Sequence, residues 1–177
     1  MTSDPFVIVD IAHIKGETYT SRLSVSIAPG KKKGTAYNRN LESDLNVIRN
    51  NNIHVIVCLL EWSELYEIGI QNYPIRAQES GFFFYHLPIK DHHVPNVSDV
   101  NILVPIIISH LNQGHNVLVH CSGGLGRAGI ITACCLCRLG YHPSESVSTV
   151  RSLRIGAIKG DHQVQFITDF HNATCNQ

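Results

Sequence analysis

Val119-His120-Cys121-Ser122-Gly123-Gly124-Leu125-Gly126-Arg127-Ala128-Gly129 stands between two apolar runs, Val117 to Val119 and Gly126 to Leu139. The first reads as a short buried strand. The second is apolar nearly all round, which predicts a central buried helix. The segment between them is a strand-to-helix turn. Its glycines, Gly123, Gly124 and Gly126, let the backbone curl tightly and turn N–H groups inward. The helix starts where the turn ends, so its positive dipole end points at the turn's contents. Such a nest suits an oxyanion with three equatorial oxygens.

Outward from this turn, strand and helix patterns alternate. Phe6 to Ile11 and Leu23 to Ile27 read as strands, and Ile53 to Leu60 as a buried β-branched strand. Asn38 to Asn50 places Leu41, Leu45 and Ile48 at helical spacing, with Asn50-Asn51-Asn52 as its stop. Trp62 to Ile68 and Ile75 to Glu79 read as short helices, and Phe82 to Leu87 as a strand. Ser98 to Asn112 reads as a helix with Ser98 as N-cap and Gly114 just past its end. Ser144 to Leu153 and Gln163 to Phe170 complete the helices. The pattern predicts one α/β domain over residues 1–177, with a mostly parallel, twisted central sheet and helices on both faces.

Composition sets limits. The chain has 177 residues, with 14 Lys and Arg against 14 Asp and Glu. Zero net charge argues against a nucleic-acid binder working through a broad basic face. A hydrophobic fraction of 44% argues against disorder. The most apolar window, Val100 to Leu111, is too short to span a membrane and holds Asn101, Pro105 and His110. Met1 to Pro5 is polar, so no leader is expected. Prenylation needs a cysteine fourth from the end, where Thr174 stands, so no membrane anchor is expected. The six cysteines match no zinc pattern and predict free thiols in a reducing, cytoplasmic setting. Cys134, Cys135 and Cys137 read as small core residues of the helix behind the turn. His86, His92 and His93 are close in sequence but lack a helix-spaced ligand pair, so no metal is expected. Lys31-Lys32-Lys33, between Pro29-Gly30 and Gly34, reads first as a solvated turn and second as a patch for an anionic partner.

Two side chains turn the anion nest into a reaction centre. Cys121 sits at its mouth, where the dipole and N–H groups favour the thiolate. Arg127 closes the loop and can grip two oxygens with its planar fork, as a Lys cannot.

This Cys-x5-Arg loop resembles the signature of the protein tyrosine and dual-specificity phosphatases. The likeness runs from about Leu23 to Phe170. Within the family, Ala28-Pro29-Gly30, Arg39-Asn40-x3-Asp44 and the Gly123-to-Arg127 stretch look most like the kinase-associated phosphatase (cyclin-dependent kinase inhibitor 3) group. The resemblance implies a phosphatase fold and a phosphocysteine intermediate, with no metal or organic cofactor. It implies Cys121 as nucleophile, with Ser122, Gly123, Gly124, Leu125, Gly126 and Arg127 around the phosphate. Asp91, in Leu87-Pro88-Ile89-Lys90-Asp91, takes the place of the general acid. Asp99 is the runner-up, although a carboxylate in a helix's first turn has its own structural reason. His120 would orient the loop, and Gln163 would lie near the catalytic water. Cys58 would be a redox partner able to form a reversible disulfide with Cys121.

One position departs from the family. Most members carry Ser or Thr directly after the Arg, where this chain has Ala128. That hydroxyl usually helps the cysteine sulfur leave the phosphocysteine, and the phosphatases of regenerating liver, which also carry Ala there, are slow. Ala128 therefore predicts rate-limiting dephosphorylation of the enzyme. The expected substrate is a phosphorylated protein, with phosphotyrosine first and phosphoserine or phosphothreonine open. The sub-family likeness adds a kinase as partner. A weakly active phosphate-recognising module is the alternative, and an RNA 5′-phosphatase the third option.

Overall fold

The computed structural model describes residues 5–18, 20–32 and 38–175. Lys33 and Gly34 of the lysine-rich turn, and the last two residues of the C-terminal tetrapeptide, lie outside them. Among the described residues five strands form one sheet: β1 (Val9–Lys15), β2 (Thr20–Ser26), β3 (Ile53–Cys58), β4 (Phe83–His86) and β5 (Asn116–His120). Their order is β1-β2-β5-β3-β4. β5 pairs in parallel with β2 and β3, β3 pairs in parallel with β4, and β1 is antiparallel to β2. The mostly parallel sheet is as predicted.

Among the described residues seven helices cover it: α1 (Leu41–Asn50), α2 (Trp62–Glu67), α3 (Tyr73–Glu79), α4 (Val97–Asn112), α5 (Gly126–Arg138), α6 (Pro143–Leu153) and α7 (Asp161–Cys175). The strand side chains alternate between two cores. Val55, Val57, Val117 and Val119 face Val104, Ile107, Ile130 and Phe170 from α4, α5 and α7. Ile56, Cys58 and Leu118 face Leu45, Leu65 and Tyr73 from α1, α2 and α3. β5 is central and buried at every residue, as a parallel strand covered on both faces must be.

Several boundaries differ from the sequence reading. The first strand is Val9–Lys15 because it pairs as an antiparallel edge with β2, Lys15 opposite Thr20. Phe6 instead packs into the α1–α3 core, under the Arg39 guanidinium. α4 is preceded by Asn96 rather than capped by Ser98, and the Asn96 side chain donates to Asp99 Oδ2 at 3.2 Å. α7 continues well past Phe170 because Phe166, Ile167 and Phe170 give it a buried face against α5.

β3, β4 and β5 all run in one direction, so their C-terminal ends share one edge. The β5–α5 turn, the loop after β4 and the segment leading into α2 meet there. This is the ligand-binding edge of a parallel α/β sheet.

Candidate active site

The β5–α5 turn is held from outside by its carbonyls. Ser122 O accepts from Ala28 N–H at 3.2 Å. Gly123 O and Gly124 O accept from the Arg154 guanidinium at 3.0 and 3.2 Å. In a planar trans peptide the next N–H points opposite the carbonyl, so the amides of Gly123, Gly124 and Leu125 face the other way. Gly124 has φ +66°, and a Cβ there would lie 2.3 Å from Ser26 O. Only glycine lets the turn press against the end of β2. The helix α5 begins at Gly126 and directs its N-terminus at the same space.

A cavity of about 250 Å³ opens over this turn, lined by Lys31, Asp91, Cys121, Leu125, Arg127 and Gln163, among others. Cys121 lies buried at its floor. Arg127 is only 2% exposed, and its fork is fixed by three groups. Nη1 and Nη2 donate to the two Glu64 oxygens at 2.5 and 2.8 Å, and Nη1 also donates to Ile89 O at 2.8 Å. Asp91 Oδ1 stands 3.0 Å from Nη2. Burial works against the Arg127 charge, but the Glu64 hydrogen bond and the Cys121, Glu64 and Asp91 charges outweigh it and hold the pKa above its ordinary value. Among the described residues Nε makes no hydrogen bond.

Asp91 follows β4 in a Pro-containing loop and is 56% exposed at the cavity rim. Its Oδ1 also accepts from the His92 N–H at 3.0 Å. Asp99 does not line the cavity; it serves Asn96 in the first turn of α4. Gln163, in the first turn of α7, is 7% exposed and reaches over Gly126. Its Oε1 has no hydrogen-bond partner among the described residues. A buried orphan acceptor on a cavity wall is a place for a donor such as water.

His120 is fully buried beneath the turn. Its Nδ1 lies 3.3 Å from Cys121 O, which can only accept, so Nδ1 carries the proton. Nε2 then accepts from the Tyr73 hydroxyl at 3.1 Å. Burial holds its pKa down at about 4, so the ring is neutral. Cys58 lies opposite His120 in the β3–β5 register. Burial pushes its thiol up to about 12. Cys58, Cys121, Cys134, Cys135 and Cys137 are all buried and form no disulfide with one another. Cys134, Cys135 and Cys137 line the buried side of α5. Among the described residues, no group of three His, Cys, Asp or Glu side chains is placed to hold a metal.

Two site residues, Glu64 and Arg154, escape the sequence reading, and a third, Lys31, reads there first as part of a solvated turn and only second as part of an anion patch. Glu64 had a signal: with Glu61 it forms a capping box at the start of α2, its Oε2 accepting from Glu61 N–H at 2.9 Å. That signal explains a helix start but not the reach to Arg127. Arg154 carries no local signal. Lys31 corrects the solvated-turn reading, because its Nζ donates to Ser122 Oγ at 2.9 Å beside the nucleophile.

A sequence profile of the "polymorphic toxin system, DSP-PTPase phosphatase" family matches residues 31–141. The chain is 26% identical over 137 residues to cyclin-dependent kinase inhibitor 3 of Rattus norvegicus, covering 76% of this chain and 65% of that protein. It is 30% identical over 138 residues to the tyrosine-protein phosphatase CDC14 of Saccharomyces cerevisiae, covering 74% of this chain but 22% of that protein. The chain thus spans just under two thirds of the first relative's length. The crystal structure of kinase associated phosphatase, with its catalytic-site cysteine replaced by serine, has the same fold: TM-score 0.88, 23% identity and 99% of each chain covered. The structure of Tk-PTP in the active form superposes with a TM-score of 0.69 at 25% identity, over 86% of this chain and 92% of that one. Because the family profile covers more than half of the sequence, this chain belongs to the DSP-PTPase phosphatase family.

Proposed function

We propose that this chain is a phosphoprotein phosphatase that works through a phosphocysteine at Cys121. The observation that carries the reading is the setting of Arg127. Its buried fork is oriented by Glu64 and Ile89 O, beside a cysteine and beneath a carboxylate. A glycine-rich turn with a buried cysteine has no need of that arrangement.

The substrate phosphate enters with its equatorial oxygens on the loop amides and the Arg127 fork. The Cys121 thiolate attacks phosphorus, and Asp91 gives a proton to the departing side-chain oxygen. Water, oriented by Gln163 and deprotonated by Asp91, then attacks the phosphocysteine. His120 and Arg154 hold the loop in shape and touch no substrate. The chemistry draws on these side chains alone.

Ser122, Gly123, Gly124 and Leu125 carry no charge, which favours a phosphorylated side chain over a polyanionic inositol headgroup. Phosphotyrosine is the first substrate, with phosphoserine and phosphothreonine beside it. The name of the relative "cyclin-dependent kinase inhibitor 3" supports a kinase as phosphorylated partner. Among the described residues no helix is long and apolar enough to cross a membrane. A cytoplasmic location fits the thiol chemistry.

Ala128 supports the second reading, a phosphate-recognising module with little turnover. Hydrolysis of a small aryl phosphate by wild type and Cys121→Ser separates the two. The enzyme reading expects turnover that Cys121→Ser abolishes. Binding of vanadate without turnover in the wild type would establish the module instead.

A further inference from the structure

The segment joining β2 to α1 is pinned at each residue around Lys31. The Gly30 N–H donates to Asp44 Oδ2 at 2.8 Å, and Gly30 has φ +67° against the Leu41 backbone. Asp44, buried in α1, is gripped by Arg39 through two hydrogen bonds, at 2.8 and 2.7 Å. Lys31 O accepts from Arg39 N–H at 3.0 Å, and Lys32 N–H donates to Ile68 O at 3.1 Å. Gly30, Arg39 and Asp44, from the Ala28-Pro29-Gly30 and Arg39-Asn40-x3-Asp44 motifs, thus brace the base of one lysine. That lysine reaches the phosphate turn, with Nζ 2.9 Å from Ser122 Oγ and 3.4 Å from Ser122 O. It lines the cavity that holds Cys121 and also the adjoining cleft bounded by α2.

Directly after Arg127, Ala128 is fully buried in the first turn of α5 and brings no hydroxyl to the sulfur. We infer that Lys31 is the cation that stabilises the Cys121 thiolate as it leaves the phosphocysteine, in place of the hydroxyl that Ala128 lacks. The inference rests on the phosphocysteine reading of the site.

In this step a water oxygen forms a bond to phosphorus while the P–S bond breaks. The P–S electron pair stays on sulfur, and the water's proton passes to the Asp91 carboxylate. Inorganic phosphate leaves. Lys31 keeps its proton throughout and supplies only charge, where charge develops. The electrostatics agree. Burial lowers the Lys31 pKa, and of the anions that push it back up Cys121 is the largest, ahead of Asp91 and Glu64. The hydroxyl of Ser122 holds the ammonium in place without neutralising it.

The test is a double-mutant cycle of Lys31→Met and Ala128→Ser, read by rapid-quench kinetics with an aryl phosphate, with Lys31→Arg as the conservative control. Lys31→Met is expected to slow phosphocysteine breakdown about 10- to 100-fold, the worth of one interaction with a charged group. The phosphorylated fraction of the enzyme should rise, and Lys31→Arg should keep most of the breakdown rate. In the Ala128→Ser background the penalty of Lys31→Met should shrink, because the hydroxyl shares the task. Equal slowing of both half-reactions, or the same penalty in both backgrounds, would overturn the inference. Wild-type enzyme that turns over without ever carrying phosphate on Cys121 would overturn the phosphocysteine reading itself, and this inference with it.

Discussion

Both carboxylate oxygens of Glu64 lie on the Arg127 guanidinium, at 2.5 and 2.8 Å, so α2 sets the angle at which the phosphate loop presents its cation. Asp91 Oδ1 stands beside the same fork, 3.0 Å from Nη2. The resting site thus holds its anion-binding fork with Glu64 and Ile89 O as fixed partners and Asp91 as one that a phosphate can displace.

Glu64→Gln keeps the shape but offers one acceptor oxygen instead of two. Losing a hydrogen bond to a charged group costs about 1–3 kcal/mol. The expected outcome is a fall of about 10- to 100-fold in kcat/KM for an aryl phosphate, with weaker vanadate binding. Unchanged vanadate affinity in the folded variant would show that Glu64 does not orient Arg127.

Asp91→Asn removes the proton donor while keeping the side chain's size. General acid catalysis contributes about 10²- to 10⁴-fold. Turnover of phosphotyrosine peptide should fall within that range, and less for an aryl phosphate whose leaving group needs no proton. Equal losses on both substrates would point to a binding role for Asp91 instead.

His120 ties fold stability to pH. Its folded pKa, about 4, lies below the ordinary histidine value near 6.5, because burial penalises the charged ring. The unfolded chain therefore binds the proton first as pH falls. Stability is full above about 6.5 and declines until about pH 4, by on the order of 3 kcal/mol from this residue. Burial, and then the His115 charge, lower His54 and His110 as well, adding to the same slope. Urea unfolding at pH 7 and pH 4.5 measures it. His120→Asn should flatten the decline; an identical slope in the variant would contradict the assignment.

Cys58 is expected to trap oxidised Cys121. Peroxide converts the Cys121 thiol to a sulfenic acid; the Cys58 sulfur then displaces its oxygen as water, leaving a disulfide. Because burial pushes the Cys58 thiol up to about 12, the second step should be slow. Mass spectrometry after mild peroxide should find the Cys58–Cys121 peptide pair, reversible with dithiothreitol. Sulfinic acid on Cys121 with Cys58 untouched would exclude it.

The central strands β3 and β5 and the helix α5 were legible because each holds a dense apolar run bounded by turn residues. The Cys121-to-Arg127 loop was legible because its glycines, nucleophile and cation are contiguous. What lies between segments was not. Glu64 and Arg154 meet the loop from α2 and from the end of α6, and nothing local distinguishes them from surface charges. Lys31 was misread for a related reason: a lysine beside Pro and Gly has the composition of a solvated turn, and only the Asp44–Arg39 brace aims it inward. The β1 boundary slipped because Phe6 is apolar for the sake of another core, whereas His13 and Lys15 sit on an exposed edge.

The central claim is a covalent phosphate on Cys121. Acid quenching of the enzyme during turnover of a labelled aryl phosphate, followed by peptide mapping, tests it directly. The account predicts label on the peptide holding Cys121, and none in Cys121→Ser. Turnover with no label, or label on any other residue, would contradict it.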